Sequence, residues 1–197
     1  MFLEAVILGV VIGIVRNGSV RNINFTKIRG WFLVILAFVL QISTLIFKSM
    51  PVIMSYGKYF YIASALLIVL TLIMNIDKKG MWIILIGAIL NFIVVVMNKN
   101  RMPISFDGLR LAGLENMIDD IRNGSISNYM SLDEVTNWTK HLGKYIVIPK
   151  PYPMAKVISI GDIFMSLGII FFIQGEMLKS YLSMKNRMVR MGYRGRR

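Results

Sequence analysis

The chain contains no cysteine and a single histidine, His141. The first absence excludes disulfides, thiol catalysis and thiolate metal sites. The second leaves too little imidazole for a histidine-based zinc site or a Ser-His triad. His141 falls near the end of a loop helix, just before Gly143, and reads as an ordinary surface histidine. No metal or cofactor is therefore expected, and any chemistry must rest on carboxylates, hydroxyls, lysine or arginine. Acidic residues are scarce as well, with 10 Asp and Glu against 23 Lys and Arg. Charge of either sign is missing altogether from Trp31–Phe47, Tyr59–Ile76, Met81–Asn98 and Ile163–Gly175.

Those charge-free runs dominate the reading. The chain is 56% hydrophobic, with a mean hydropathy of +0.64. A hydrocarbon core of ~30 Å needs about 20 apolar residues, and ~17 suffice. The first three runs reach that minimum, and the fourth does so when extended back through Val157–Ile160. Met1–Val15 is apolar except for Glu4, has no basic opening, and ends on Val15-Arg16-Asn17-Gly18. It reads as a short retained helix rather than a cleaved leader. The expected fold class is all-α, a polytopic membrane helix bundle of about five spans.

The placement of basic residues sets the expected orientation. Segments 16–30, 76–80 and 176–197 carry thirteen basic residues against Asp77 and Glu176. The opposite side has ten basic and eight acidic residues. The more positive side stays in the cytoplasm, so the N-terminus is expected outside and the C-terminus inside. The resulting organisation is helices one to four in 1–97, an external loop in 98–156, a fifth helix in 157–178 and a basic cytoplasmic tail in 179–197. On a soluble protein a net charge of +13 would raise nucleic acid as a partner. Here the excess lies beside the bilayer, so the expected partners are the lipid bilayer, anionic headgroups at the tail, and a membrane partner subunit, with no nucleic acid. Met177, Tyr181, Met184, Met188 and Met191 place one apolar stripe on a tail helix, flanked by Lys179, Lys185, Arg187 and Arg190.

Two stretches read alike. Arg29-Gly30-Trp31 opens the second span, Gln41 sits within it and Met50-Pro51 closes it. Lys79-Gly80-Met81 opens the fourth, with Asn91 within and Met102-Pro103 after it. Each amide follows its glycine by 11 residues, the pattern of a parallel two-helix repeat with Gln41 over Asn91. Both amides need hydrogen-bonding partners in hydrocarbon and should face other helices, as interhelical contacts or ligand contacts. Ala5, Gly9 and Gly13 form a small-residue face for close helix packing.

The external loop has a pattern of its own. Leu114, Met117, Ile118 and Ile121 follow helical spacing before Asn123-Gly124. Ser131-Leu132-Asp133-Glu134 has capping-box spacing ahead of an apolar face of Val135, Trp138 and Leu142. Tyr145–Ile148 reads as extended, and Pro149–Pro153 cannot be helical. Two short helices lying as a cap over the outer mouth are expected. Ser159 and Asp162 have the same capping spacing at the start of helix five. The candidate polar cluster is Asn98, Arg101, Ser105, Asp107 and Asp162, with Arg101 paired to Asp162. Asn91 and Gln41 are added as ligand-binding candidates, and Asp162 and Asp107 are the candidate catalytic acids.

The N-terminal helix, Arg29-Gly30-Trp31, Asn100–Ser105 and Ser159–Asp162 together resemble a bacterial domain-of-unknown-function family of small multi-pass membrane proteins. That resemblance implies a bacterial plasma membrane and no particular activity. Asp162–Gly168 is similar to the last-helix motif of lipoprotein signal peptidases, which implies Asp162 as one of two catalytic aspartates. The other motif of that family, Asn-x-x-Asp-Arg, is not matched at Asn91–Val95, which lacks both acid and arginine. The size, the small-residue face and the outer loop resemble the substrate-capturing subunits of energy-coupling-factor transporters, although those usually have six helices. The leading expectation is a non-enzymatic accessory or structural bundle with an external cap. A small-solute-binding transport subunit is the first alternative and a membrane aspartic peptidase the second.

Overall fold

The computed structural model describes residues 1–46, 51–136 and 138–179. Beyond Lys179 the methionine stripe of the tail lies outside the described residues, as does Met50 of the first Met-Pro pair. Five apolar helices carry an all-α bundle: α1 (Phe2–Val15), α2 (Trp31–Ile46), α3 (Pro51–Met74), α4 (Met81–Met97) and α7 (Ile160–Met177). Between α4 and α7 the chain forms a cap containing β1 (Met102–Ile104), α5 (Phe106–Leu111), α6 (Glu115–Arg122), β2 (Tyr129–Ser131), β3 (Ile146–Ile148) and β4 (Lys156–Ile158).

Among the described residues, α7 is the one helix both long and apolar enough to cross a membrane by itself. Shorter apolar helical stretches are Phe2–Val15, Trp31–Thr44 within α2, Tyr59–Met74 within α3, and Met81–Met97. At this level the expectation of five full spans reduces to one qualifying helix. In α4 the length is set by the helix ends. Gly80, at φ 81°, starts α4, and Lys99 and Asn100, at φ 55° and 61°, turn the chain back just after it. That leaves 17 residues, about 25 Å of helix.

The main helix contacts run in the order α2, α3, α4, α7, α1. From α2 to α7 neighbours alternate in direction, whereas α7 and α1 run parallel. Gly30 lies against Met74 and Gln41 bonds Ser64, so α2 is antiparallel to α3. Gly9 lies against Ile170 and Ile173 and Gly13 against Met177, so α1 runs parallel to α7. The closest approach is between α4 and α7. Gly80 faces Gly168 and Gly87 faces Gly161, a seven-residue spacing on both helices. A Cβ at Gly80 would stand 2.2 Å from the Gly168 carbonyl oxygen, and one at Gly87 would stand 2.5 Å from that of Gly161. Two backbones this close exchange dispersion and Cα–H···O contacts that any side chain would prevent.

Polarity is distributed in reverse. On α1, Ala5, Gly9 and Gly13 are buried, while Leu3, Ile7, Leu8, Val11, Ile14 and Val15 are exposed. On α2, Trp31, Phe32, Ile35, Phe38 and Val39 are exposed. Ser64, Thr71, Asn75, Ser166, Gln174 and Glu176 are buried. In the cap, Ile104, Leu109, Ile118 and Val157 form a compact apolar cluster with their neighbours, beside α5 and α6.

The cap follows the expectation in part. Helix α6 covers the segment with helical spacing, and Gly124 at φ 75° ends it. The second expected helix is replaced by two 3-10 turns, Leu132–Glu134 and Trp138–Leu142. Ser131 caps the first through the Asp133 N–H, one residue earlier than a capping box requires. The face expected from Val135, Trp138 and Leu142 is split: Val135 is buried and Trp138 exposed, with Thr139 buried in its place. The extended reading of Tyr145–Ile148 corresponds to β3, which pairs antiparallel with β4; β1 and β2 pair in parallel. At the cap end of α1, Lys156 and Tyr152 both donate to Glu4. Partial burial lowers the Lys156 pKa, but the adjacent Glu4 carboxylate more than reverses this and holds it above the ordinary lysine value.

The seam between α4 and α7 is tested by comparing two glycines of positive φ. Gly124→Ala, in open space, meets only the left-handed penalty of about 1–2 kcal/mol. Gly80→Ala adds the clash with Gly168. Its melting temperature in detergent is expected to fall at least about 4 °C further than that of Gly124→Ala. Equal losses would mean that the two backbones are not in contact.

Candidate functional site

The site grows from the α4–α7 seam. Because Gly161 has no side chain, Asn91 of α4 can lie directly over the first turn of α7; a Cβ there would come within 2.3 Å of Asn91 Oδ1. Ser159 caps α7 by accepting from the Asp162 N–H at 3.0 Å. Asp162 closes the capping box by accepting from the Ser159 N–H at 3.2 Å. Ser159 Oγ then donates to Asn91 Oδ1 at 2.8 Å, and Asn91 Nδ2 donates to Asp162 Oδ1 at 3.0 Å. The four-membered cluster is completed from the cap by Lys144, whose Nζ lies 2.8 Å from Asp162 Oδ2.

The placement of Lys144 is a backbone matter. Its N–H donates to the Pro103 carbonyl and its own carbonyl accepts from the Ser105 N–H, both at 2.8 Å. Those bonds set it alongside β1, and the next residue joins the α7 side through Tyr145 N–H to Ile158 O. The chain is thereby fixed on both sides of the ammonium that meets Asp162. Asn98 provides a second clamp between cap and bundle, donating to Val94 O at 2.7 Å and Thr139 Oγ1 at 2.8 Å.

Beside this cluster lies a cleft of about 250 Å³, lined by Tyr61, Asn91, Val95, Asn100, Met102, Asn128, Tyr129, Lys144 and Asp162. Tyr61 and Tyr129 both pack on the Val94, Val95 and Met102 cluster, so one wall is aromatic and apolar. The other is polar, with Lys144, Asp162 and the amides. Pockets that hold drug-sized molecules usually measure about 300–1,000 Å³, so the occupant that fits here is small.

The sequence candidates separate accordingly. Asn91 and Asp162 are in the cluster and line the cleft. Arg101 is exposed, and the expected Arg101–Asp162 pair is replaced by Lys144–Asp162. Ser105 caps α5 through the Gly108 N–H at 3.0 Å. Asp107 is exposed on α5 and pairs with Arg110 at 2.8 Å, so it does not join Asp162 as a second acid. Among the described residues, the side chains bonded to Asp162 are those of Lys144 and Asn91, and neither is a carboxylate. Gln41 does not line the cleft; it donates to Ser64 at 3.2 Å between α2 and α3. Both amides of the suggested repeat thus bond a serine across a helix pair, and the two glycines preceding them, Gly30 and Gly80, both have positive φ. Lys144, Tyr61, Asn100, Asn128 and Tyr129 were missed by sequence reasoning. The signal for Asn100 was its place in an Asn-rich helix exit; for Lys144 there was none, since its role depends on strand pairing.

Residues 22–174 match a family described as a family of unknown function (DUF5317), and the chain belongs to that family. A relative from Thermotoga maritima, named only as an uncharacterized protein, is 27% identical over 172 residues, covering 87% of each chain. No solved structure matches.

The Lys144–Asp162 pair is expected to behave as a partly buried ion pair. Lys144→Met strands the carboxylate, and breaking such a pair costs about 3 kcal/mol or more. The double variant Lys144→Met/Asp162→Asn removes both charges and keeps an Asn able to cap α7. It should recover much of the loss, as read from thermal unfolding of all four proteins in one detergent. Additive losses would show that the two groups do not interact.

Proposed function

We propose that this member of the DUF5317 family is a non-enzymatic, multi-pass membrane protein that holds a small polar solute in the cleft beneath its external cap. The membrane reading rests on the reversed polarity of the bundle. Large apolar side chains cover the outside of α1 and α2, while serine, asparagine, glutamine and carboxylate groups are inside. In water that arrangement exposes a large apolar area without compensation; in lipid it is the stable one. Short helices such as α1 and α4 are accommodated by tilt and local thinning of the bilayer. The orientation follows from charge. Arg16, Arg21, Lys27, Arg29, Lys78, Lys79 and Lys179 all stand at the end of the bundle away from the cap, which favours that end in the cytoplasm of a bacterial plasma membrane.

The observation that carries solute binding is the cleft itself, roofed by the cap and floored by α4 and α7. Its single carboxylate is already engaged by Lys144, Asn91 and the Ser159 N–H, which leaves phenols, amides and the lysine to address a ligand. A solute rich in oxygen acceptors suits those groups. An aspartic peptidase mechanism needs two carboxylates sharing a proton, and the Lys144 pairing argues against it. Ser159 is fully buried and capped on both sides, so it has no access as a nucleophile. A second reading, an accessory subunit, is favoured by α2, whose main contact is α3 and whose remaining surface is apolar.

Two experiments test this. The cysteine-free chain allows single-cysteine labelling without background. Asp120→Cys in the cap is expected to react with a membrane-impermeant maleimide on intact cells, and Asn24→Cys is not; the reverse pattern would invert the orientation. Native mass spectrometry of protein purified in mild detergent should show a co-purifying small molecule, lost in Asn128→Ala and Tyr61→Phe without a change in melting temperature. A stoichiometric partner protein instead, with an empty cleft, would favour the accessory reading.

A further inference from the structure

The segment between α1 and α2 forms a strap across the ends of the helices opposite the cap. It is pinned along its length. Arg16 Nη1 donates to Gln174 Oε1 at 2.9 Å, and the Ser19 N–H donates to the Met177 carbonyl at 3.0 Å. Asn22 Nδ2 reaches that same carbonyl at 2.7 Å, and Thr26 Oγ1 donates to the buried Glu176 at 2.9 Å. The Arg29 N–H and carbonyl both bond the buried Asn75 side chain, at 2.9 and 2.8 Å. Asn22, Ile23 and Thr26 face inward, at least half-buried, while Val20, Arg21, Phe25, Lys27 and Ile28 are exposed. A 3-10 turn over Val20–Phe25 sets this alternation.

The outer face of the strap thus interleaves cations with bulky apolar groups, and Trp31 follows at the start of α2, also exposed. The acids at this end are already engaged. Glu176 is held by Thr26 and Lys179, and Asp77 lies 3.3 Å from Arg29. Neither Arg21 nor Lys27 is in an ion pair with an acid among the described residues. Apolar side chains inserted at headgroup depth beside Lys and Arg are the pattern of an interfacial segment on an anionic leaflet.

We propose that the strap, through Arg21 and Lys27 flanked by Phe25, Ile28 and Trp31, is a binding site for the headgroups of anionic phospholipids in the cytoplasmic leaflet. The site rests on the membrane reading above and is distinct from the basic tail. Its pinned backbone presents the charges in a fixed arrangement, so binding orders little chain and favours lipid over a freely diffusing anion, which has no acyl chain to meet the apolar groups.

The test uses the full chain with its tail intact. Purified protein in detergent is titrated with phosphatidylglycerol, phosphatidylcholine or soluble glycerol 3-phosphate, following melting temperature and bound lipid by native mass spectrometry. Phosphatidylglycerol is expected to stabilise the wild type, the other two not. Arg21→Gln/Lys27→Gln should weaken the phosphatidylglycerol response about tenfold or more, while the melting temperature without lipid stays the same, because neither side chain holds the strap. An undiminished response in the double variant overturns the site, as does equal stabilisation by phosphatidylcholine or by glycerol 3-phosphate. Alkaline carbonate extraction separates the two levels of the argument: release of the wild type into the soluble fraction removes the membrane reading itself, whereas retention with no lipid selectivity removes the strap site alone.

Discussion

Everything in this fold depends on how closely α4 and α7 approach. Gly80, Gly87, Gly161 and Gly168 replace side chains with backbone contact along the antiparallel pair. Without that proximity Asn91 could not span to both Ser159 and Asp162, the first turn of α7 would lose its polar cover, and the carboxylate would have no partner on the bundle side. The other helices are arranged from this pair: α1 lies along α7 through its own small-residue face, and α3 packs on α4 with α2 outside it. On the membrane reading proposed above, helices gain little by hiding apolar area, so close packing and interhelical hydrogen bonds supply the association.

Polarity is found inside the bundle and at its two ends. Among the described residues, most buried polar groups of the bundle bond a neighbouring segment or back along their own helix, as Ser64 does with Gln41, Asn75 with Arg29 and Gln174 with Arg16, while Ser166 Oγ has no hydrogen-bond partner. The charged groups sit at the two ends. At one end Glu4 and Asp162 are met by Lys156 and Lys144 of the cap, so the cap is attached to the bundle by two ion pairs and by the Asn98–Thr139 bond. At the other end the strap from α1 to α2 closes over Glu176. The cap and the strap thus do the same mechanical job on opposite faces, each covering the end of α7.

The candidate site shows how far local reasoning reaches. Ser159 and Asp162 announce a capping box by their spacing, because a cap is an interaction within one turn. Asn91 stands out because a lone amide in a charge-free run must find a partner. Its partners, though, are 68 and 71 residues away, and Lys144 reaches Asp162 only because residues 103–105 hold its backbone. Arg101, the partner expected at the exit of α4, is exposed instead. Asp107 was a reasonable second acid by composition; as an exposed residue on α5 it pairs with the arginine one helical turn on. In the cap, helical spacing located α6, whereas the 3-10 turn over Trp138–Leu142 turns Thr139 inward to Asn98, a contact with a residue 41 positions away.

Sequence alone was sufficient for the properties that depend on solvent and on short-range chemistry. Apolar runs without charge, the uneven placement of lysine and arginine, the small-residue face of α1, the cap of α7 and the absence of thiols and paired histidines are all local, since hydration and one-turn hydrogen bonds act over a few residues. Tertiary structure alone decided which helices meet, that heptad-spaced glycines from two distant segments face one another, which lysine neutralises Asp162 and that a cleft remains beside it. Those outcomes depend on distances between segments far apart in the chain, and a linear pattern carries no information about such distances until the backbones are packed.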